Sequence, residues 1–504
     1  MYKYLYSLFF CLTIMSFCAC SSDEEPGKSG VNTITSFRLQ AALNSQSIKQ
    51  DYQATIDGTN ILICIPTLTD FKDLVVTFSV GGGTVTVNGV QQVSGVTKND
   101  FTNPLTYVVT ADNGEKRSYT VDICNTHLPV VYINTSDGKA ITSKEVWKGN
   151  TTIKIIEPDG TVNLFTETAS IRGRGNTTWG YPKKPYAIKL SEKQSVLGMA
   201  KHKRWVLLAN WMDRTLIRNH VAFEVSRRTS MAWTPNGKFV EVVLNGHHDG
   251  NYYLCEQIRV DKNRVNINEM KKEDTTGDAI TGGYLMELDV NYDEVNKFKS
   301  PLFDLPYQFK APDEDELNDQ QKQYMYDYVN KLETLLKDET EFAKSSYMDL
   351  VDITSFIDFW LIQEVVGNGE ANHPKSCYMH KDKNKVLTAG PVWDFDYGTY
   401  RSTTSATFRA NKGIYYGQMF KDPKFVAKVK ERRAVLYPKF KTIPEYIDAE
   451  SKKLILSDQI NIKMWPITKA VNLDEEFTYE EAIQSMKDCF NKKLQYTDEK
   501  IKAM

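Results

Sequence analysis

Residues 171–190 read IRGRGNTTWGYPKKPYAIKL, and this stretch says most about the architecture of the chain. Its first part interleaves Arg172 and Arg174 with two glycines. Glycine lets the backbone approach a ligand closely, and guanidinium groups supply fixed positive charge, so the pattern is typical of an anion-binding turn. A plain hairpin turn is the alternative interpretation, because the same residues also occur there.

The second part of the stretch has the alternation of a β-strand. Tyr186, Ile188 and Leu190 share one face, and Ala187 and Lys189 share the other. An inward lysine on a central strand has to be paired, usually with a phosphate or a carboxylate, and the strand is similar to the Val-Ala-Ile-Lys strand of kinases. The alternative is a solvated lysine on an edge strand.

Two later segments carry carboxylates. GNGEANHPKS, residues 367–376, lies between a predicted helix and a predicted strand, where Glu370 could act as a base towards a hydroxyl. GPVWDFDYG, residues 390–398, places Asp394 and Asp396 two residues apart among aromatic side chains, a pattern that favours a hard-cation site. A solvated acidic turn is the alternative for the second segment.

The succession of these segments resembles the CotH spore-coat kinase family over about residues 129–500. Shorter motifs add to the resemblance: Leu197-Gly198-Met199, Trp205 to Leu208, Asp213 with Arg218-Asn219, the Asn245-Gly246 hairpin, and Gly282 to Glu287. The resemblance implies an α+β, kinase-like domain with two lobes. It also implies ATP and Mg²⁺ (or Mn²⁺) as cofactors and serine hydroxyls of secreted or coat proteins as acceptors.

The resemblance assigns a role to each candidate residue. Lys189 would hold the ATP phosphates, assisted by Arg172 or Arg174. Asp394 would be catalytic and would bind the metal, with Asp396 beside it. Two positions depart from the family pattern: Glu370 stands where a catalytic aspartate is expected, and Ser376 stands where a metal-binding asparagine is expected.

The first residues are typical of an export signal. An apolar run from Leu5 to Phe17 follows Lys3 and is too short to span a membrane, which predicts a signal peptide over residues 1–19 for the Sec pathway. Ala19 before Cys20 resembles a lipoprotein processing site, so Cys20 is predicted to carry the lipid. An ordinary cleaved signal is the alternative. Residues 20–32 are predicted to be a tether, and the protein is expected to be lipid-anchored at the outer membrane or cell surface.

The rest of the chain divides by its periodicity. Short β-branched and aromatic runs separated by Gly-containing turns predict an immunoglobulin-like β-sandwich over residues 33–126. The CotH-like domain is predicted over residues 129–504, with strands first and helices later. The predicted helices are Leu216 to Arg228, Asp319 to Leu336, Asp349 to Val366, Asp422 to Phe440, Glu445 to Leu456 and Thr478 to Ala503.

Composition excludes several classes of protein. The chain has 504 residues and a net charge of −2, so no sign-biased field indicates nucleic acid as a partner. Five of its eight cysteines lie in the predicted folded part without CxxC spacing, which argues against a zinc site. Cys64 and Cys124 lie in strand-like runs and could pair. Buried free thiols are the commoner arrangement.

Two functions follow. The first is a lipid-anchored kinase that transfers the γ-phosphoryl group of ATP to a hydroxyl of a secreted or surface protein. The second is a surface binding or adhesion module with a catalytically weak or inactive kinase-like fold. Lys189, Asp394 and Asp396 favour the first function, and the substitutions at positions 370 and 376 favour the second.

Overall fold

In the strands of the N-terminal β-sandwich, buried and exposed side chains alternate. A computed structural model describes residues 30–504, so the predicted signal peptide, Cys20 and most of the predicted tether lie outside the described residues. In the ninth and tenth strands of the sandwich every second side chain is buried, and Tyr107, Val109, Tyr119 and Val121 pack in its core. The ten strands are β1 (Ile34–Leu39), β2 (Tyr52–Gln53), β3 (Thr55–Asp57), β4 (Asn60–Cys64), β5 (Leu74–Val80), β6 (Thr84–Val87), β7 (Val90–Gln91), β8 (Lys98–Asn99), β9 (Leu105–Thr110) and β10 (Lys116–Cys124).

These strands form two sheets, in the orders β2-β1-β5-β8 and β3-β4-β10-β9-β6-β7. Strand β10 runs parallel to β4, and this register sets Cys124 opposite Cys64. The two sulfur atoms lie 3.6 Å apart as free thiols. The region is therefore all-β, as its sequence predicts.

A closed seven-stranded barrel follows and forms the first lobe. Its strands are β11 (Val130–Asn134), β12 (Lys148–Ile156), β13 (Val162–Gly173), β14 (Tyr186–Val196), β15 (Met199–Leu208), β16 (Gly237–Leu244) and β17 (His247–Glu256). They close in the order β11-β12-β13-β14-β15-β17-β16. Ile171, Ile188, Trp205 and Leu207 fill the interior, so the barrel is a packed core rather than a channel.

The second lobe combines a five-stranded antiparallel sheet with helices. The sheet has the order β19-β20-β18-β21-β22 and consists of β18 (Tyr284–Leu288), β19 (Lys297–Lys299), β20 (Pro306–Ala311), β21 (Cys377–Lys381) and β22 (Leu387–Ala389). The helices of the chain are α1 (Arg218–Arg227), α2 (Asp319–Lys337), α3 (Glu339–Lys344), α4 (Ile353–Val365), α5 (Tyr416–Met419), α6 (Pro423–Phe440), α7 (Ile443–Ser451), α8 (Ile455–Met464) and α9 (Tyr479–Ala503). The α+β fold class is confirmed.

The predicted helices correspond to observed ones, with one exception. The segment Glu445 to Leu456 is not one helix, because α7 ends at Ser451 and α8 begins at Ile455 after a short 3-10 turn. Helix α8 then packs on β17 and also approaches β4 of the sandwich. No helix among residues 30–504 is long and apolar enough to cross a membrane.

Buried ion pairs join the segments around the second lobe. Arg218, at the start of α1, is 2% exposed and bonds to Asp213 at 2.9 Å and to Asp474 at 2.7 Å. Asp213 also accepts the backbone N–H of Arg218 at 2.8 Å, which fixes the start of the helix. Since a buried charge is stable only when paired, these contacts hold the 472–475 segment against α1.

Candidate active site

A cleft of about 1050 Å³ opens between one end of the barrel and the second lobe. Its barrel wall includes the end of β13, where Arg172 lies, and the turn that follows. Its opposite wall includes the loops that follow β18 and β22 and the loop that precedes β21. Of the residues predicted for the site, Arg172, Arg174, Glu370, Ser376, Asp394 and Asp396 all line this cleft. Segments more than 200 residues apart in sequence thus meet at one place.

The barrel wall is positively charged. The guanidinium of Arg172 lies over the Trp147 ring at 4.7 Å, and that of Arg174 lies over the Trp393 ring at 5.5 Å. Neither forms an ion pair of 4.0 Å or less with any carboxylate of residues 30–504. Their charge is therefore available to an anion in the cleft.

The backbone of this turn requires its glycines. A Cβ atom at Gly173 would lie 2.2 Å from the Trp179 ring. Gly175 has a φ of +82°, in the left-handed region that favours glycine. The turn therefore brings its backbone close to the cleft and gives both arginines fixed positions.

The opposite wall is rich in carboxylates. Asp394 has a φ of +68°, a conformation that aspartate tolerates better than most residues. The Ser376 hydroxyl donates to Asp394 Oδ2 at 3.5 Å. Glu370 begins a short 3-10 turn, and its carboxylate lies 3.9 Å from the ammonium group of Lys375.

Burial and mutual repulsion perturb these carboxyl groups. Burial, followed by the charge of Asp394, raises the pKa of Glu370 to about 9. Burial, again followed by the charge of Asp394, raises the pKa of Asp396 well above its usual range. Neighbouring carboxyl groups in a low-dielectric cleft cannot all be ionised at once, because their negative charges repel one another. A cation bound among them would remove this repulsion, so the cluster favours cation binding.

The loop that carries the two aspartates is held by two buried asparagines. Asn219 Oδ1 accepts the backbone N–H of Phe395 at 2.7 Å. Asn472 donates to the Asp396 carbonyl at 2.8 Å and accepts the N–H of Gly398 at 2.9 Å. We call these two residues the asparagine clamp.

Comparison with known proteins agrees with this arrangement. The model of the CotH kinase protein family matches residues 171–496, more than half of the chain, and this range includes both walls of the cleft. The chain belongs to the CotH kinase protein family. Residues 43–123 match the model described as SGBP, N-terminal, within the β-sandwich.

Other comparisons are weaker. A solved structure from Bacteroides thetaiotaomicron, described as a candidate glycoside hydrolase, is 21% identical with a TM-score of 0.16. The match covers 37% of this chain and 54% of that chain, so it spans about half of the other protein's length. No curated protein matches.

CotH kinases in general use ATP and a divalent metal, and the oxygen donors of the cleft suit such a pair. Magnesium is usually bound by one or two carboxylates together with substrate phosphates rather than by a cage of protein ligands. Asp394 and Asp396 provide two carboxylates, with the Ser376 hydroxyl beside them. Within residues 30–504 no group of three or more His, Cys, Asp or Glu side chains is arranged to hold a metal ion alone.

The prediction for Lys189 needs correction. Tyr186, Ile188 and Leu190 face the barrel interior, so Lys189 points outward, where it is exposed and lies outside the cleft. Its strand neighbours are Ser170 and Arg204, and neither lines the cleft. The family's lysine role therefore does not fall on Lys189 in this chain.

The cleft contains another lysine that the sequence did not indicate. Lys310, on β20, forms ion pairs with Glu287 at 3.1 Å and Glu294 at 2.5 Å. Burial lowers the pKa of Lys310, but these two carboxylates outweigh burial and raise it. Glu287 lies in the Gly282 to Glu287 motif. The sequence therefore indicated Glu287, but not the Lys310 with which it pairs.

Asp289 and Asn472 were also missed. Asp289 Oδ2 accepts the backbone N–H of Ser376 at 3.1 Å and so orients the loop before β21. Burial raises the pKa of Asp289. Asn472 stands in an irregular segment without a recognisable motif, and only the folded chain brings it to Asp396.

Proposed function

We propose that this protein is a kinase that transfers the γ-phosphoryl group of ATP to a Ser, Thr or other hydroxyl of a secreted or surface protein. One observation carries the proposal: two arginines that have no carboxylate partner among residues 30–504 face a cluster of carboxylates across a single cleft. Phosphoryl transfer depends on this combination, because cations must hold the phosphates while acidic groups hold the metal.

Each side chain has a role in this proposal. Arg172 and Arg174 bind phosphate oxygens, and Asp394, Asp396 and Ser376 hold Mg²⁺ or Mn²⁺. The metal, when bound, neutralises charge on the phosphates. A cation bound among the carboxylates would favour the ionised form of Glu370, which then accepts the proton of the acceptor hydroxyl. Lys375, 3.9 Å away, balances its charge.

The proposed location rests on the first residues of the chain. A signal peptide over residues 1–19 would direct export through the Sec pathway, and a lipid on Cys20 would anchor the protein at the outer membrane or cell surface. The β-sandwich would then separate the kinase-like domain from the membrane. Metabolic labelling with a fatty acid, lost in Cys20→Ala, tests the anchor. Equal labelling of both proteins would contradict it.

A second function is a surface binding module with little or no catalysis. The observation that favours it is the pair of substitutions in the catalytic loop, Glu370 for aspartate and Ser376 for asparagine. A glutamate is one methylene longer than an aspartate, and a misplacement of about 1 Å can cost on the order of a hundredfold in rate. Such a module would keep the ligand-binding cleft but would not catalyse phosphoryl transfer.

Turnover separates the two functions. The purified protein is incubated with γ-³²P-labelled ATP, Mg²⁺ and a casein-like acceptor, beside Glu370→Gln, which keeps the size of the side chain and removes its charge. The kinase proposal predicts label in the acceptor that falls about a hundredfold or more in the variant, on the order of a lost general base. Equal incorporation by both proteins would show that Glu370 is not the base. ATP binding without any incorporation would favour the binding module.

A further inference from the structure

A second pair of cations lines the cleft, on segments that follow the second-lobe sheet in sequence. Arg401 and Lys469 both line the cleft, together with Tyr181, Tyr397 and Leu473. We call these five residues the acceptor rim. Tyr397 directly follows Asp396, so the rim borders the proposed metal site.

Arg401 and Lys469 have no acidic partner in the part of the chain that the structure describes. The Arg401 guanidinium lies 5.1 Å from the Tyr397 ring centroid and donates to the Val471 carbonyl. The Lys469 ammonium lies 5.4 Å from the Tyr181 ring. Within residues 30–504, no carboxylate lies within 4.0 Å of either cation. These aromatic rings and a carbonyl orient the charges but do not neutralise them.

The rim also exposes apolar surface. The Tyr397 and Leu473 side chains are 47% and 57% exposed. Leu473 has a φ of +71°, a costly conformation for a branched residue. It is held there because one carboxylate oxygen of Glu475 accepts the backbone N–H groups of Val471, Asn472 and Leu473. The segment therefore keeps an apolar side chain facing solvent beside two unpaired cations.

The other edge of the cleft has a different character. Glu145 and Asp293 line it and are exposed, whereas Glu294 is paired with Lys310. An acidic polypeptide would thus be repelled from that edge and attracted to the acceptor rim. Arg172 and Arg174 belong to the barrel wall, where the proposal above places the nucleotide phosphates, so they do not compete for the same anion.

We propose that the acceptor rim binds the polypeptide acceptor, and that it selects a segment with acidic residues and an apolar side chain next to the reacting hydroxyl. Arg401 and Lys469 bind the acidic residues, and Tyr397 and Leu473 contact the apolar one. This inference rests on the proposed kinase function, since it assigns the acceptor of the same cleft.

Peptide binding tests the rim without requiring turnover. Fluorescence anisotropy compares two labelled serine peptides with one Phe each, one rich in Glu and one with Gln at the same positions, at low ionic strength. The wild type is expected to bind the Glu peptide about tenfold more tightly, as two partly exposed ion pairs of at most about 1 kcal/mol each would give. Arg401→Gln with Lys469→Gln should remove this preference. Lys238→Gln, an exposed lysine on the barrel, should retain it.

A charge-reversed variant shows whether a lost peptide preference could be caused by misfolding. Arg401→Glu with Lys469→Glu should bind a Lys-rich peptide of the same length more tightly than the Glu peptide, a gain that an unfolded protein cannot give. Equal affinity of the wild type for the Glu and Gln peptides, or a preference unchanged in the Gln variant, would overturn the inference. Calorimetry with ATP and Mg²⁺ on the same proteins tests the proposed kinase function separately. Absence of heat from ATP binding would refute that function. The peptide preference would still show whether the rim selects acidic segments.

Discussion

The two walls of the cleft are built in different ways. The barrel wall is local: Arg172 at the end of β13 and Arg174 just after it are two residues apart, and Gly173 and Gly175 set the backbone there. The wall of the second lobe is assembled from distant segments, because Glu370 stands on one loop and Asp394 and Asp396 stand on another. The loop of the two aspartates is held by residues far away in sequence. A cationic wall needs only side chains that reach a phosphate, whereas a metal site needs several oxygens placed together.

This difference between the walls predicts which substitutions should weaken ligand binding most. Arginines stacked on Trp147 and Trp393 can be lost one at a time, since each contributes its own contact with an anion. The aspartates act as a unit, and their loop depends on the asparagine clamp. We therefore expect substitutions in the second lobe to have larger effects than substitutions in the barrel.

The largest effect is expected for Asp394→Ala. Removing a direct carboxylate ligand should cost more than the 10- to 100-fold that outer contacts of a metal typically contribute, so Mg²⁺-dependent ATP binding should weaken by more than about a hundredfold. Isothermal calorimetry measures it. Asp159→Ala, in an exposed turn of the barrel, is the matched control. Similar affinities of Asp394→Ala and this control would mean that the metal site lies elsewhere.

The asparagine clamp is the next test. Asn472→Ser removes hydrogen bonds to the Asp396 carbonyl and the Gly398 N–H without touching the metal ligands. We expect the affinity for Mn²⁺, followed by electron paramagnetic resonance with ATP present, to fall about 10- to 100-fold, as for other residues that orient ligands.

Two controls separate this role from general stability. Thermal unfolding of Asn472→Ser shows whether the fold persists, and Asn219→Ser, which removes the other half of the clamp, should give a similar loss of Mn²⁺ affinity. Unchanged Mn²⁺ affinity in both folded variants would refute the positioning role.

A smaller effect is expected on the barrel wall. Arg172→Gln and Arg174→Gln should each weaken ATP binding about five- to tenfold, in line with the loss of one charge-assisted contact of about 1 kcal/mol. Lys189→Gln, on the outer face of the next strand, should bind ATP like the wild type. A loss in Lys189→Gln equal to that in Arg174→Gln would restore the kinase-like role that the sequence predicted for this lysine.

The smallest effect is expected for the pH dependence of stability, through a buried lysine behind the barrel wall. Lys183 is fully buried and donates to the Asn251 carbonyl and, at 2.7 Å, to Asn461 Oδ1 on α8. Burial lowers its pKa from 10.5 to about 7. The unfolded chain therefore binds more protons than the folded one between about pH 7 and pH 10.5, so the stability contributed at this position rises with pH in that window.

Below about pH 7 both states are protonated and the full cost of burial remains. The free energy of unfolding of the wild type, relative to Lys183→Met, should increase by about 1 kcal/mol between pH 7 and pH 8. Urea unfolding at the two pH values measures this difference. Parallel behaviour of both proteins would show that Lys183 keeps its ordinary pKa in the fold.

Much of the fold was predictable because it depends on local periodicity. The alternation of β10 and the helical spacing of α2, α6 and α9 are visible in the sequence, and the observed bounds of these three helices are close to the predicted ones. The split between α7 and α8 was not predicted, since one continuous apolar pattern runs across the 3-10 turn.

The candidate site was predictable only in part. Glycines and paired charges indicated Arg174, Asp394 and Glu370, which the cleft brings together. Period-two alternation divides a strand into two faces but does not say which face is inside, and so Lys189 was assigned to the wrong one. Asn472 and Lys310 reach the cleft through tertiary contacts that no local pattern records.

The most direct test of the central claim is calorimetric titration of the purified protein with ATP, in the presence and absence of Mg²⁺. We expect saturable binding of ATP with Mg²⁺ that disappears in Asp394→Ala and weakens strongly when Mg²⁺ is omitted. Absence of ATP heat in the wild type, or binding that neither Mg²⁺ nor Asp394 affects, would contradict it.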